Sequence, residues 1–189
     1  ASGIHGLKPG EHRFKEEKLD LPESGSSLLL ALGPDGELVA PSSEGLWIRR
    51  NGKWTAVTTA EGLTTDQVRC FLTGRDGTVW LGYVREGFSR WLGYGEWANW
   101  NVGDGLSSSS ITSIEKDENG HLWLGSRGGL DELDMERSGR QVRHWQSTHQ
   151  RSFGRIQVVK AVGHGRILVA TFRHGLCVVD SRQDRVWGL

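Results

Sequence analysis

Three arginines hold one position relative to a recurring glycine. Arg85, Arg127 and Arg173 each stand two residues before a glycine that an apolar residue follows, Gly87-Phe88, Gly129-Leu130 and Gly175-Leu176, and Ser43 holds the same place before Gly45-Leu46. A guanidinium group is a permanently charged fork that can grip a carboxylate or sulfate with two hydrogen bonds. The spacing therefore predicts an anion-tolerant pocket lined by Arg85, Arg127 and Arg173, with Tyr83 and His174 beside them. The alternative for each arginine is a local ion pair with Glu44, Glu86 or Asp131, or stacking on a neighbouring ring. The hydroxyl runs Thr64-Thr65 and Ser107 to Ser110 could contact ligands on the same face, or could bond the local backbone as short polar side chains do in turns.

Other chemistries find less support. The seven histidines are scattered, and the spacings His144 to His149 and His164 to His174 match no zinc pattern. There is no Gly-x-Ser-x-Gly elbow and no phosphate-binding glycine loop. No catalytic residue, metal or cofactor is therefore expected. Lys plus Arg equals Asp plus Glu at 23 each, so no global field draws nucleic acid or an anionic membrane. No apolar run approaches the roughly 20 residues of a spanning helix, so direct membrane insertion is not expected either. Cys70 and Cys177 fall in apolar stretches and read as buried free thiols.

The elements that must carry these side chains are strands. Pro34-Asp35-Gly36, Arg75-Asp76-Gly77, Glu118-Asn119-Gly120 and Gly163-His164-Gly165 recur at matching places, with their central residues 41, 43 and 45 apart. That period suits a unit of four short strands. Gly, at 27 residues, is about twice its usual ~7% share, as a turn-rich β protein requires. The Asp-Gly and Asn-Gly pairs favour positive φ, the geometry of a two-residue hairpin turn.

Leu28 to Leu32, Val68 to Leu72, Ile111 to Ile114 and Ile156 to Val162 read as first strands. Leu38 to Ala40, Val79 to Leu81, Leu122 to Leu124 and Ile167 to Val169 read as second strands, and the glycine-apolar pairs open the third. A fourth strand carries an aromatic at Trp54, Trp97 or Trp100, Trp145 and Trp187. Near-continuous apolar character in the inner strands and alternation in the outer ones is what radially stacked sheets demand. The nine tryptophans largely recur with the unit, which assigns them to burial between sheets rather than to sugar stacking.

The best-formed unit runs Asp104-Gly105-Leu106-Ser107, then Asp117-Glu118-Asn119-Gly120-His121-Leu122-Trp123-Leu124-Gly125, then Gly128-Gly129-Leu130. It resembles the two-component regulator propeller repeat. The unit before it keeps Glu61-Gly62-Leu63-Thr64 and Asp76-Gly77-Thr78-Val79-Trp80-Leu81-Gly82, whereas Val39-Ala40-Pro41 and Leu168-Val169-Ala170 replace Trp-Leu-Gly in the flanking units. The resemblance implies a sensor-domain β-propeller of hybrid two-component or cyclic-dinucleotide signalling proteins, periplasmic or otherwise extracytoplasmic, taking a glycan or other small ligand, which the arginines would make a glycan or small anionic ligand. A related propeller, the streptogramin-inactivating lyase, implies the enzymatic alternative, proton abstraction by a His and a Glu at the ring centre.

The expected fold is thus all-β, a propeller segment of four four-stranded antiparallel blades within a larger ring. Residues 1–19 are assigned to an outer strand of a preceding or closing blade, with Phe14 in the tryptophan's place, and 20–57, 58–100, 101–145 and 146–189 to blades 1 to 4. Open blade edges are an association hazard, so further blades or a second chain are expected to complete the ring. Ala1-Ser2-Gly3 shows no charged and apolar leader, which suits removal of a signal peptide or a start inside a longer protein. The expected role is non-catalytic ligand sensing or binding. The alternatives are an interaction scaffold that closes its ring by oligomerisation and a lyase-type enzyme.

Overall fold

The computed structural model describes residues 4–6, 10, 12–13, 15–17, 30–74, 76–93, 96–135, 141–146 and 153–188. Phe14, Leu28 and Arg75, which carry parts of the sequence reading, lie outside the described residues. Within 1–19, where one outer strand is expected, β1 (Ile4–Gly6) and β2 (Lys15–Glu17) pair with each other.

Four antiparallel sheets follow, each a simple meander. Blade 1 comprises β3 (Ala31–Leu32), β4 (Leu38–Ser42), β5 (Gly45–Arg50) and β6 (Lys53–Val57). Blade 2 comprises β7 (Val68–Thr73), β8 (Val79–Tyr83), β9 (Phe88–Gly93) and β10 (Glu96–Trp100). Blade 3 comprises β11 (Ile111–Lys116), β12 (Leu122–Ser126), β13 (Leu130–Leu133) and β14 (Val142–Trp145). Blade 4 comprises β15 (Ile156–Gly163), β16 (Arg166–Thr171), β17 (Leu176–Asp180) and β18 (Arg185–Gly188).

The turns differ from the expected two-residue form. In blade 1 Gly33 N donates to Glu37 O, in blade 2 Gly74 N to Thr78 O and in blade 3 Asp117 N to His121 O. Three residues therefore intervene, and the last of them, Gly36, Gly77 or Gly120, takes positive φ. This is a type I turn closed by a left-handed glycine, the usual three-residue hairpin. His164-Gly165 in blade 4, with both φ angles positive, is a two-residue turn, as is Asn51-Gly52 between β5 and β6.

Blades pack face to face, and the first strands β7, β11 and β15 lie against one another. Each seam has an apolar wall from either side. Val39 and Leu46 of blade 1 meet Val68, Val79 and Leu81 of blade 2. Trp80, Phe88 and Trp100 of blade 2 meet Ile111, Ile114, Leu122 and Leu124 of blade 3. Trp123, Leu130 and Trp145 of blade 3 meet Ile156, Val159, Ile167 and Val169 of blade 4. Phe88 and Trp100 stack with ring centres 4.9 Å apart, and Trp123 and Trp145 tilt together at 5.7 Å. Close approach is secured by Gly82 and Gly125, where a Cβ would strike Ile111 and Ile156 of the next blade. The Cys70 sulfur also rests on Gly82. Both cysteines are free and buried, and burial pushes the Cys70 thiol up to about 12.

Register corrects the reading of the outer tryptophans as one repeating position. Trp100 pairs with Phe88 and Trp145 with Leu130, so these two are equivalent. Trp54 pairs with Arg49 and Trp97 with Trp91, which puts them on the opposite sheet face. Trp187 pairs with Val178, two residues out of step with Trp145. Period two makes face assignment sensitive to single-residue offsets.

Trp123 is fully buried while Trp187 remains 37% exposed. Trp123→Ala is accordingly expected to cost about 3–5 kcal/mol of unfolding free energy and Trp187→Ala about 1 kcal/mol or less, as measured by urea titration followed by circular dichroism.

Candidate functional site

The segments that link blades and the loops joining second to third strands meet on one side of the molecule, the loop face. Gly45 N donates to Asp66 O, Gly87 N to Ser109 O and Arg127 N to Ser110 O, each bond running from such a loop to an inter-blade segment. The turns between first and second strands mark the opposite side, the turn face.

Two inter-blade segments share one design. Thr58 caps a 3-10 turn (Thr59–Glu61) and Asn101 another (Val102–Asp104), each as a reciprocal box with Glu61 or Asp104 at its third position. Gly62 and Gly105 end these turns at φ 98° and 99°, a left-handed conformation that favours glycine. The hydrogen bond from the Thr58 backbone holds the Glu61 carboxyl below its ordinary range. Leu63 and Leu106 then drop into the seams, and Phe153 takes that part in the third seam without a preceding Gly-Leu.

The next residue latches the segment to its own blade. Ser107 donates from its backbone N and its Oγ to Asp131 Oδ2 at 3.0 and 2.8 Å, while His144 Nδ1 lies 2.7 Å from Asp131 Oδ1. In blade 2, Thr64 Oγ1 donates to Asn99 Oδ1 at 2.7 Å, and Asn99 also meets the Ser89 hydroxyl. A serine, a histidine and a buried aspartate thus converge, but with the aspartate between the other two. Nucleophilic catalysis needs the serine on the histidine, so this cluster is a fastening. Among the described residues no three His, Cys, Asp or Glu side chains gather as metal ligands would.

Arg85, Arg127 and Arg173 all sit exposed on the loop face, one on each of blades 2, 3 and 4. Among the described residues none of the three guanidinium groups makes an ion pair. The acids named as alternative partners do not claim them, and Asp131 is wholly engaged by Ser107 and His144. Their equivalence needs correction. Backbone N–H bonds across the blade mouth come from Val84, Arg127 and Phe172, to Gln67, Ser110 and Arg155. Arg127 therefore matches Val84 and Phe172, and only Arg85 and Arg173 share a position, because the loop of blade 3 is one residue shorter.

Tyr83 does not belong to the exposed set. It ends β8 at the place held by Ser42, Ser126 and Thr171, whose hydroxyls donate to the carbonyls of Gly45, Gly129 and Gly175 and close those loops. Its ring is buried in the seam with blade 1, and its phenol lies 2.9 Å from Ser89 Oγ, with burial pushing its pKa up. His174 is exposed beside Arg173, its backbone N donating to Thr171 Oγ1 at 2.8 Å. Residue spacing also missed Phe172, which is exposed beneath the Arg155 guanidinium at 5.6 Å. The signal was available in its position, the first residue after a second strand, which Arg127 shares.

The turn face carries an open cavity of about 740 Å³ lined by Asp76, Glu115, Lys116, Asp117, Glu118 and Lys160, among others. Its charges largely satisfy one another across blade seams. Lys116 Nζ lies 2.9 Å from Asp76 Oδ2, Lys160 Nζ 2.8 Å from Glu115 Oε1, and Arg182 Nη2 3.0 Å from Glu118 Oε1. Asp117 accepts from Trp123 Nε1 at 2.9 Å.

Comparisons with known proteins accord with this architecture. Residues 105–128 match the family Two component regulator propeller. No curated protein matches the chain in sequence. Among solved structures, the extracellular domain of a one component system from B. thetaiotaomicron is similar at 18% identity and a TM-score of 0.64, over 85% of this chain and 22% of that one. The extracellular domain of a hybrid two component system from the same organism is similar at 16% identity and 0.52, over 91% and 29%. A catalytically inactive virginiamycin B lyase from Staphylococcus aureus, solved with quinupristin, is similar at 12% and 0.67, over 93% and 58%. The chain thus spans about a fifth to three fifths of these proteins, and the likeness establishes a β-propeller fold. No helix among the described residues is long and apolar enough to cross a membrane.

The Asp76 carboxyl is held well below its ordinary range, first by the Thr78 hydroxyl and then by Lys116. A depressed carboxylate pKa adds stability above the unfolded value and loses it as pH falls through the folded one. The stability gap between wild type and Asp76→Asn is therefore expected to be widest above about pH 5 and to narrow progressively as pH falls below roughly 4, in urea titrations run from pH 6 down to 2.

Proposed function

With residues 105–128 a two component regulator propeller repeat set among further propeller blades, we propose that this chain is a non-catalytic, ligand-sensing propeller module of an extracytoplasmic bacterial signalling protein. The observation that carries this reading is a contrast between the two faces. Charges around the turn-face cavity are paired with one another, whereas Arg85, Arg127 and Arg173 stand exposed on the loop face without ionic partners among the described residues. Unpaired guanidinium groups suit a carboxylated or sulfated glycan, or another small anion. Phe172 beneath Arg155 adds an exposed ring on which a sugar could lie. The similar extracellular domains of one and two component systems support a sensing role outside the cytoplasm.

Replacing Arg85, Arg127 and Arg173 together by Ala is expected to abolish calorimetric binding of sulfated or uronate-containing oligosaccharides and to leave the unfolding midpoint within a few degrees. Unchanged affinity would remove the arginine site.

A specific observation favours the scaffold reading as well, and the two are compatible. The blade 4 face that continues the series of Val39-Leu46, Trp80-Phe88 and Trp123-Leu130 is Leu168-Leu176, with Val158, Ala170 and Trp187 beside it. The earlier pairs are buried by the next blade, but Leu176 is 40% exposed. We assign this face to a further blade, in this chain's own protein or a second copy. Light scattering of the 189-residue chain is expected to show self-association that Leu176→Glu weakens; a stable monomer near the 21.0 kDa chain mass would refute the assignment.

A further inference from the structure

The seam between blades 1 and 2 is built with less volume than the two that follow. Three positions on each blade face its successor: Trp80, Phe88 and Trp100 on blade 2, and Trp123, Leu130 and Trp145 on blade 3. On blade 1 the strand register places Val39, Leu46 and Val57 there. Two indoles are replaced by two isopropyl groups. This seam keeps a groove of about 440 Å³, within the roughly 300–1,000 Å³ of small-molecule sites. Its far wall is Phe71, Val79, Trp91 and Trp97 of blade 2. Trp91 is 42% exposed there, although its counterparts Leu133 and Val179 are buried in their own seams.

Two further observations say what would fill the groove. The Trp97 Nε1 is buried and has no hydrogen-bond partner among the described residues, and an unsatisfied buried donor is costly unless an acceptor reaches it. The mouth is acidic. Asp35 and Glu37 line its turn-face end, where Arg50, the one basic lining residue, lies 3.5 Å from Glu37, and Glu61 lines its loop-face end. An anionic guest would meet like charge, whereas a cationic one would meet both the carboxylates and the indole faces.

The geometry points to a second ligand site in this seam, taking a small aromatic amine whose ring lies between the valines and the two tryptophans. The ammonium group faces Asp35 and Glu37 at the turn-face end, and a hydroxyl on the ring supplies the missing acceptor for Trp97. This site is separate from the arginines of the loop face and binds ligand of the opposite charge.

The test uses the intact chain and three probes with one ring size: tyramine, phenethylamine, which lacks the hydroxyl, and 4-hydroxyphenylacetate, which reverses the charge. Calorimetry is expected to give one saturable tyramine site per chain. Loss of the hydroxyl, or reversal of the charge, should each weaken binding about tenfold. In ¹⁵N-labelled protein the indole N–H resonance that Trp97→Phe removes should shift on tyramine addition. Val39→Trp restores the indole that blades 2 and 3 carry, with Glu37 at the position from which Thr78 accepts the Trp80 N–H. It should abolish tyramine binding and raise the unfolding midpoint; Val57→Trp serves if the first variant fails to fold. The triple arginine-to-alanine variant should bind tyramine as wild type does, which separates this site from the proposed sensing site. Absence of saturable tyramine binding, equal affinity for 4-hydroxyphenylacetate, or binding retained in the filled variant would each overturn the proposal.

Discussion

Everything in this structure depends on covering the flat apolar face that each four-stranded sheet turns toward its neighbour. A sheet of this size is not stable with both faces wet, and the seams remove that liability by pressing one blade's large side chains onto the first two strands of the next. The fully buried second strands β8 and β12 are the result, since they have seams on both sides. Several of the polar groups that enter the seams are matched there. Thr112 Oγ1 bridges the carbonyls of Gly125 and Ile156, from two different blades, and Trp145 Nε1 donates to the buried Glu132. Side chains of opposite charge then tie the rims, as with Arg143 and Asp184 at 2.6 Å.

The family's short sequence signature makes physical sense in this setting. Asp-Gly-Leu-Ser is a capped turn, a left-handed stop, a buried anchor and a latch, in that order. In blades 1 and 2 the glycine that opens the third strand is required by crowding. At Gly45 and Gly87 the backbone is left-handed, and a Cβ would collide with the carbonyl of Val57 or Trp100 at the end of the outer strand. The signature therefore encodes how the chain leaves one blade and enters the next.

The two faces of the blades use the residues outside the signature differently. The loop face collects side chains that the seams do not need, and there three arginines stand without ionic partners among the described residues. On the turn face the charged residues are absorbed into inter-blade pairs. Where the first blade departs from the pattern, substituting valine for tryptophan at two positions, the departure opens the interior of a seam. Departures from a repeat and exposed positions beside it are thus the two places where one blade can acquire a role its neighbours lack.

The sequence by itself determined the strand order, the number of blades and the burial of Trp80 and Trp123, because hydrophobic period and glycine turns are local properties that recur four times. It also determined that three arginines would emerge on one face, since strand alternation fixes the end at which a loop leaves. Only the tertiary structure decided the finer matters. One residue more or less in a loop shifted Arg127 against Arg85 and Arg173, and a two-residue offset separated Trp187 from Trp145, shifts that spacing from a single glycine does not reveal. Tyr83 reads as a rim residue in the chain, yet lies inward because its site in the second strand faces blade 1. The pairing of Asp131 with Ser107 and His144, and the groove left by Val39 and Val57, arise between segments distant in sequence. Such contacts are set by which sheet covers which face, and that is a property of the assembled blades.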